Sequence, residues 1–414
     1  MINNLLIDFK KITKHFKEQG TWVFIGRIYL MFISFILSIV LTRTLDVDAY
    51  GEYKYILSIF ALFAFFSLPE SSQIMMRYVP RGQDNIYQLL LKLRVKFSIL
   101  GSLAFVSYAL YNYYNNEMGL YYSFLCLSLV FPFFYSYQLF DPFLQAKMNY
   151  KLLNKLFVIR STVQLFLVFF AVILFKTALA GIIAFTLSIA LSNWFFYNLV
   201  KKKYSIFSSN NVSSTKKKKL FEKQAITLSA IGILPIVAEN IDKILIVQYI
   251  DYKSLAIFSI GLLIGKTVNG FFKPFLSTIN AKLVHKELAK RHYFILFIGG
   301  TLLGMILSLV IPKLIIFIYG EQYAKSTIFA NVIILSMGIY FLQTVYYNQA
   351  LFNRNSSINK IYINNVITPI ILIILIGLFL HFPNDIEIKL LLLSCLYPIR
   401  LLLTIFIIYI LRKR

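Results

Sequence analysis

The chain has 414 residues, of which 59% are hydrophobic and 17% aromatic, and its formal net charge is +25 at pH 7. Soluble domains average roughly 45–50% apolar and ~25% charged residues, so this composition excludes an ordinary soluble domain and predicts a polytopic membrane protein. The positive charge does not indicate nucleic-acid binding, because the Lys and Arg residues lie in short blocks between apolar runs and not on one soluble face.

The predicted architecture is an all-α integral membrane protein. Residues 1–21 are mixed basic and apolar, which predicts a cytoplasmic amphipathic lead-in and not a cleavable signal. About twelve apolar windows follow, each long enough for a helix to cross a ~30 Å hydrocarbon core. They lie at 22–41, 55–68, 97–113, 119–140, 157–175, 178–199, 225–249, 254–280, 293–311, 326–350, 361–381 and 388–411. Pro69 interrupts the second window, whose helix is expected to continue to about Arg77.

The basic residues alternate between the two sides of these windows. Loops on one side hold most of them, including Arg77, Lys92, Lys147, Lys282 and Arg354. Loops on the opposite side are short and hold Arg43, Lys54, Lys176, Lys253, Lys325 and Lys389. By the positive-inside rule, both termini are expected to be cytoplasmic.

The longest polar segment divides the chain into two predicted lobes of six helices, at 22–199 and 225–411. The linker 200–224 and the tail 412–414 are expected to be cytoplasmic, and the lysine runs of the linker are interpreted as a topology signal that contacts anionic lipid, with phosphate binding as the alternative. An offset of about 205 pairs Asp46 with Asp251 and Gln138 with Gln343. Because both halves begin and end inside, a parallel repeat with substrate between the lobes is expected.

The stretch from Ala225 to Asn280 carries ionisable residues inside two apolar helical segments. They are Glu239, Asp242 and Lys243 in the first segment and Lys266 and Lys273 in the second. An ion at bilayer depth costs at least ~2.5–3.5 kcal/mol, so such residues usually face a cavity, a partner or a substrate. The pattern predicts the working part of a membrane transport protein.

The spacing of these residues predicts specific contacts. Lys266, Asn269 and Lys273 share one helical face. Glu239 and Lys243 can pair at i and i+4, and Asp242 could reach Lys266 across the hairpin. Arg27 in the first window and Arg400 in the last add two cations, so five positive charges face two negative ones, and the surplus of three exceeds what internal pairing requires.

Three segments carry a resemblance to a known family. The run from Leu41 to Tyr53 is similar to the stretch after the first helix in the multidrug/oligosaccharidyl-lipid/polysaccharide exporter superfamily. The runs 242–259 and 318–323 resemble its second-lobe counterparts, although Ala256 stands where the family more often has Gly. Length, basic linker and span number most resemble the polysaccharide transporter branch, the Wzx-type flippases of O-antigen and capsule repeat units.

The resemblance implies a fold and a function. The fold is a MATE-like flippase fold, and the function is alternating-access transfer of a polyprenyl-pyrophosphate-linked oligosaccharide to the outer leaflet of the bacterial inner membrane. Membrane lipids and other polysaccharide assembly proteins are the implied partners, without nucleic acid. No cofactor is expected beyond a coupling H⁺ or Na⁺.

The site residues are assigned from that expectation. Arg27, Lys266, Lys273 and Arg400 are expected to bind the pyrophosphate, while Glu239, Asp242 and Lys243 serve as counter-ions or couple an ion. Alternatively, Arg27 and Lys273 snorkel to the interface, and the carboxylates only hold the helices in register. Five polar residues could contact sugar hydroxyls, although hydrogen bonding between helices is the favoured interpretation for them. They are Tyr346, Tyr347, Asn348, Asn364 and Asn365.

Two rival functions remain. A drug/cation antiporter of the same superfamily would concentrate acidic residues in its cavity, but the first lobe shows none inside a predicted span. A membrane polysaccharide polymerase or ligase would need a long outer loop, and the predicted outer loops have about five to thirteen residues. No catalytic or metal signature is found. The four histidines (His15, His285, His292, His381) fall in or beside loops, and Cys126 and Cys395 lie in apolar runs.

Overall fold

The computed structural model describes residues 2–206, 215–273, 276, 290–352 and 359–413. Within those ranges the chain is helical and contains no strand, which confirms the predicted all-α class. Part of the basic linker lies outside the described residues, as do Lys282, His285 and Arg354.

The described residues form sixteen α-helices. Their bounds are α1 Ile2–Thr44, α2 Val47–Leu62, α3 Ser71–Tyr78, α4 Ile86–Tyr114, α5 Met118–Ser136, α6 Phe140–Ala146, α7 Tyr150–Phe175, α8 Ala178–Lys203, α9 Thr215–Ile231, α10 Ile233–Tyr249, α11 Tyr252–Phe271, α12 Lys290–Tyr319, α13 Ser326–Leu335, α14 Met337–Phe352, α15 Asn359–His381 and α16 Ile386–Lys413. Short 3₁₀ turns at Phe63–Ser67, Val79–Arg81, Tyr137–Leu139 and Glu321–Tyr323 join some of them.

The number of candidate membrane spans is smaller than predicted. Among the described residues, eight helical segments are long and apolar enough to cross a membrane, and two bent helix pairs raise the number to ten. The predicted spans at 97–113 and 225–249 are not among them. The first lies in α4, which also carries Lys92, Arg94 and Lys96. The second is divided between α9 and α10 at Gly232 and includes three charged residues of α10.

The second span is broken where the sequence predicts. The segment from Val47 to Ser67 and the segment from Ser71 to Arg81 are bent by 51° at the break between them. Leu68 adopts a left-handed φ of 52°, and Pro69 follows with no backbone N–H to donate. The interruption at Pro69 and the continuation of the helix to about Arg77 are both confirmed.

One compact unit contains Met1–Thr44 and Phe63–Gly232. In this unit α4 packs along α5, and α1 packs along α7. Aromatic and aliphatic side chains form its core, among them Tyr87, Phe140 and Phe143, all fully buried. Arg94 is also buried in this unit, where it donates hydrogen bonds around the break in the second span.

The other compact unit contains Leu45–Leu62 and Ile233–Arg414. Here α2 packs on α10 and α11, although the predicted first lobe, 22–199, includes α2. The physical reason is a close backbone crossing: a Cβ on Gly51 would lie 1.9 Å from the carbonyl oxygen of Tyr252. Only glycine permits that approach. The predicted lobe boundaries at 199 and 225 stay a prediction.

The starts of α2 and α11 share one capping geometry. Asp46 Oδ1 accepts a hydrogen bond from the backbone N–H of Ala49 at 2.7 Å, and Asp251 Oδ1 accepts one from Ser254 at 2.6 Å. Both are carboxylate caps three residues before their donor. The offset of about 205 pairs these two aspartates, so the shared cap supports an internal repeat.

Candidate functional site

An ion pair joins α10 to α16. The guanidinium Nη1 of Arg400 lies 2.9 Å from Oε1 of Glu239, and about half of each side chain is exposed (44% and 52%). Arg400 lies within α16, two residues after Pro398, and Glu239 lies within α10. Helical backbone therefore holds both members of the ion pair. Helical spacing predicts Lys243 as the partner of the Glu239 carboxylate. In the structure the partner is Arg400, which lies 161 positions further along the chain.

Lys243 makes its contacts on α10 itself. Its ammonium Nζ lies 3.6 Å from Oδ1 of Asp242, and it also donates to the backbone carbonyl of Glu239. Glu239 lies one helical turn before Lys243, as the i, i+4 spacing requires. The lysine, however, contacts the backbone carbonyl of Glu239 and not its carboxylate. The carboxylate is therefore left to Arg400.

Lys266 on α11 lies within the electrostatic field of these four residues. Lys243 and Arg400 repel its charge, while Asp242 and Glu239 attract it. The Lys266 side chain is exposed. Asp242 forms its ion pair with Lys243 and not with Lys266.

Lys54 is a further cation, which the apolar pattern assigns to an outer loop. It lies inside α2, where its charge is repelled by Lys243. Its ammonium lies 5.1 Å from the ring centroid of Tyr50 and 5.9 Å from that of Tyr53, within the range of cation–π attraction. The apolar window predicted for the second span begins at residue 55, so it excludes this lysine by one position.

Together these side chains form what we term the basic cluster: Lys54, Glu239, Asp242, Lys243, Lys266 and Arg400. Its four cations face two carboxylates, which leaves a surplus of two positive charges. Arg400 and Lys243 each pair with one of the carboxylates, so Lys54 and Lys266 have no carboxylate of their own within the cluster.

Three other predicted residues are not part of the basic cluster. Arg27 is exposed on α1, in the other compact unit. Lys273 is exposed just beyond the end of α11. Asn269 is fully buried and donates hydrogen bonds to the carbonyl of Ile333 and the hydroxyl of Tyr397, at 3.1 and 3.3 Å. Asn269, which helical spacing places on the face of Lys266 and Lys273, therefore holds α11 to its neighbours.

A polar cavity lies beside Arg400 in the same unit. Its volume is about 180 Å³, and α10, α14, α15 and α16 supply its walls. The polar residues in the wall are Gln343, Tyr347, Asn364, Asn365, Thr368, Arg400 and Thr404. Three of the five residues considered for sugar contact therefore line it. Tyr346 packs on Tyr293 instead, with ring centroids 5.0 Å apart.

In the unit that contains α4 and α5, several polar and charged residues lie inside helices, although their sequence pattern does not single them out. Asp141 lies in α6, inside the candidate span Met118–Ala146, so the expectation that the first lobe has no acidic residue in a span is wrong. Arg94 and Arg160 both attract Asp141, and Gln145 donates a hydrogen bond to it at 2.5 Å. Arg160 also donates to Asn193 at 3.0 Å. These groups satisfy one another.

Among the described residues no group of three or more His, Cys, Asp or Glu side chains is arranged to hold a metal ion. Cys126 and Cys395 are half-buried free thiols.

Comparison with known proteins gives a family. A family model described as "Polysaccharide biosynthesis protein" matches residues 16–280, well over half of the chain. The match covers α2 to α11 with most of α1, and it includes every residue of the basic cluster except Arg400. No curated protein matches the chain.

Solved structures give a fold. The MATE multidrug transporter DinF-BH is 11% identical with a TM-score of 0.66, and the alignment covers 97% of this chain and 95% of that one. The lipid II flippase MurJ, in an inward closed conformation, is 15% identical with a TM-score of 0.58 and coverages of 94% and 88%. VcmN of Vibrio cholerae, a MATE transporter in its bent form, is 12% identical with a TM-score of 0.54 and a coverage of 98% for both chains. The predicted MATE-like fold is confirmed.

Proposed function

Because this chain belongs to the polysaccharide biosynthesis protein family, we propose that it is a flippase for a polyprenyl-pyrophosphate-linked oligosaccharide, such as an O-antigen or capsule repeat unit. The flippase moves its substrate from the cytoplasmic to the outer leaflet of the bacterial cytoplasmic membrane, with both termini in the cytoplasm. The observation that carries the proposal is the basic cluster, with its surplus of two positive charges on a MATE-like fold.

The chemistry of the headgroup fits this cluster. A pyrophosphate that links a lipid to a sugar is a dianion, and it can leave water only where cations replace its hydration. Arginine can bind a phosphate through two parallel hydrogen bonds, and lysine acts as a movable point charge. The two negative charges of the headgroup equal the surplus of the basic cluster, so binding leaves the cluster neutral.

The two carboxylates act as counter-ions in this scheme. Glu239 holds Arg400, and Asp242 holds Lys243, while the substrate is absent. The incoming pyrophosphate competes with them for the same cations. Arg27 and Lys273 remain predicted phosphate ligands that are not members of the cluster.

Transport follows the alternating-access scheme, in which two halves of the protein open the site to one leaflet and then to the other. The polyprenyl tail stays in lipid during this step. Energy comes from an H⁺ or Na⁺ gradient, because no nucleotide-binding motif is found in the sequence. Membrane lipids and other polysaccharide assembly proteins are the proposed partners.

A drug/cation antiporter is the second candidate function. Asp141 removes one argument against it, because an acidic residue does lie inside a span of the first half. Asp141 is, however, attracted by Arg160 and Arg94 in the same unit and accepts a hydrogen bond from Gln145, so other groups of the chain already meet its charge. The surplus of positive charge in the basic cluster favours an anionic substrate.

A transport role without catalysis also agrees with the solved structures of the same fold, which are named as transporters and a flippase. A polysaccharide polymerase or ligase would need a domain or long loop to hold its acceptor. Two described loops between candidate spans are short: α7 and α8 are joined by two residues, and α15 and α16 by four.

A binding measurement tests the proposal. The purified full-length chain is titrated in detergent with undecaprenyl pyrophosphate and with neutral undecaprenol. We expect the pyrophosphate to bind at least about tenfold more tightly, and Lys266→Ala and Lys54→Ala each to weaken its binding by about tenfold, the effect of one lost charge-assisted contact.

Lys96→Ala is the matched control, because Lys96 is an exposed lysine on α4 in the other compact unit. It should bind like the wild type. Equal affinity for the two lipids, or unchanged affinity in both cluster variants, would contradict the proposal.

A further inference from the structure

We propose that the polar cavity beside Arg400 is a sugar subsite that receives the first saccharide of the lipid-linked substrate. The inference rests on the proposed flippase function and assigns a ligand class to a second part of the same unit. It is carried by the lining of the cavity, its volume and its position next to the basic cluster.

Several polar side chains in the cavity wall have hydrogen-bonding groups to spare. Gln343 and Asn365 are half-buried, and within the described part of the chain neither makes a hydrogen bond. Asn364 and Thr368 satisfy each other in part, since the Thr368 hydroxyl donates to Asn364 Oδ1 at 2.9 Å. Unpaired amides inside a membrane helix bundle are costly, so water or a ligand must meet them.

The chemistry of these groups matches a saccharide. A sugar hydroxyl both donates and accepts, as does each side-chain amide, so Gln343 and Asn365 can each pair with a hydroxyl in both directions. The Tyr347 ring, together with Pro235, Pro369 and Leu372, gives the cavity an apolar wall suited to the C–H face of a pyranose ring. A simple anion would not need this amide-rich lining.

The size of the cavity is that of a small ligand. Its volume is about 180 Å³. That space is of the order of one pyranose, so we assign a single saccharide residue to it. The subsite therefore binds the saccharide closest to the lipid, and the remaining sugars of the repeat unit lie outside the cavity.

Arg400 connects the cavity to the basic cluster. Arg400 is one of the residues that line the cavity, and its guanidinium Nη1 pairs with Glu239. In the substrate the first sugar is bonded directly to the pyrophosphate, so a headgroup held by the basic cluster places that sugar at the mouth of the cavity. The same guanidinium disfavours a bare cation as the occupant, because it would repel one.

The experiment compares lipids that differ only in the sugar. The purified full-length chain is titrated with undecaprenyl pyrophosphate and with undecaprenyl-pyrophosphate-linked N-acetylglucosamine, glucose and galactose. We expect at least one sugar to raise the affinity by about tenfold over the bare pyrophosphate. Asn365→Ala and Gln343→Ala should each remove most of that gain while they leave the affinity for the bare pyrophosphate within about twofold of the wild type.

Asn198→Ala is the matched control, because Asn198 is an exposed asparagine on α8 in the other unit. If no sugar raises the affinity of the wild type, or if both cavity variants keep the full gain, the subsite is refuted while the pyrophosphate site stands. If the bare pyrophosphate does not bind, the proposed function fails first. The melting temperature is also compared in NaCl and in KCl. If NaCl stabilises the wild type but neither cavity variant, and no sugar changes the affinity, the cavity is a sodium site and the sugar subsite is refuted.

Discussion

The carboxylate of Glu239 on α10 forms an ion pair with the guanidinium of Arg400 on α16, with Oε1 and Nη1 2.9 Å apart. Both side chains are about half exposed, so the pair can open to a ligand without exposing a buried charge. Arg400 also lines the polar cavity. Arg400 therefore belongs to the basic cluster and also borders the proposed sugar subsite.

Competition between Glu239 and the substrate gives the first prediction. Glu239→Gln removes the negative charge that holds Arg400, so undecaprenyl pyrophosphate should bind several-fold more tightly than to the wild type. Arg400→Gln should weaken its binding by about tenfold, because a charge-assisted contact is lost. The two dissociation constants in detergent check this. Weaker binding in both variants would mean that the ion pair has only a structural role.

The crossing of α2 and α11 gives a second prediction. In Gly51→Ala the new methyl group would meet the carbonyl oxygen of Tyr252, a backbone atom that cannot rotate away. Forced overpacking of this kind costs about 1–3 kcal/mol, so the apparent melting temperature in detergent should fall by several degrees.

Gly377→Ala is the control for that substitution. Gly377 lies inside α15, and a Cβ added there would have no neighbouring atom within 4 Å. Because alanine favours helix over glycine, its melting temperature should be unchanged or slightly higher. Equal melting temperatures for the Gly51 variant and this control would show that the helices can separate at little cost.

Arg94 gives a third prediction, in the other compact unit. Its guanidinium donates to the hydroxyls of Ser71 and Ser72 and to the carbonyls of Pro69 and Tyr135, at 2.7 to 3.2 Å. Arg94→Met keeps much of the volume but leaves those acceptors unpaired, which should cost about 2–3 kcal/mol.

The measurement for Arg94 is again the apparent melting temperature, with Lys96→Met as the control on the exposed face of α4. The Arg94 variant should melt well below the wild type and the control close to it. If Arg94→Met melts like the wild type, the break at Pro69 does not depend on this guanidinium.

The sequence predicts the class of the fold better than the contacts of the site. Long apolar windows identify most spans because every membrane helix must satisfy its own backbone and bury apolar side chains in lipid. The break at Pro69 is predictable for an equally local reason, the missing backbone N–H. The span at 225–249 is not, since the chain divides it at Gly232 and places three charges in the second part.

Long-range packing explains the errors in the site. Helical spacing relates Glu239 to Lys243, but it carries no information on Arg400, which approaches from α16. Lys54 is assigned to a loop because the second apolar window begins at residue 55, whereas the helix begins at Val47. Asn269 shares a helical face with Lys266 by spacing alone, and only the contacts with Ile333 and Tyr397 show that it points into the protein.

The orientation of the chain is a fourth prediction. In a background with Cys126→Ala and Cys395→Ala, single cysteines are introduced at Asn384, in the loop between α15 and α16, and at Ser213, which lies outside the described residues. An impermeant thiol reagent should label Asn384→Cys in intact cells, and Ser213→Cys only after the cells are opened. The reverse pattern would overturn the proposed orientation.

The central claim is that the basic cluster binds the anionic headgroup during export, and Lys266 is the most direct place to test it. In a deletion strain of the source organism, Lys266→Ala and Lys266→Arg are expressed at wild-type level, and surface polysaccharide and lipid-linked repeat units at the cytoplasmic face are measured. We expect Lys266→Ala to lose most of the surface polysaccharide and to accumulate the lipid-linked intermediate, while Lys266→Arg keeps most of the export because the charge is retained. Normal export by Lys266→Ala at the wild-type protein level would contradict the account.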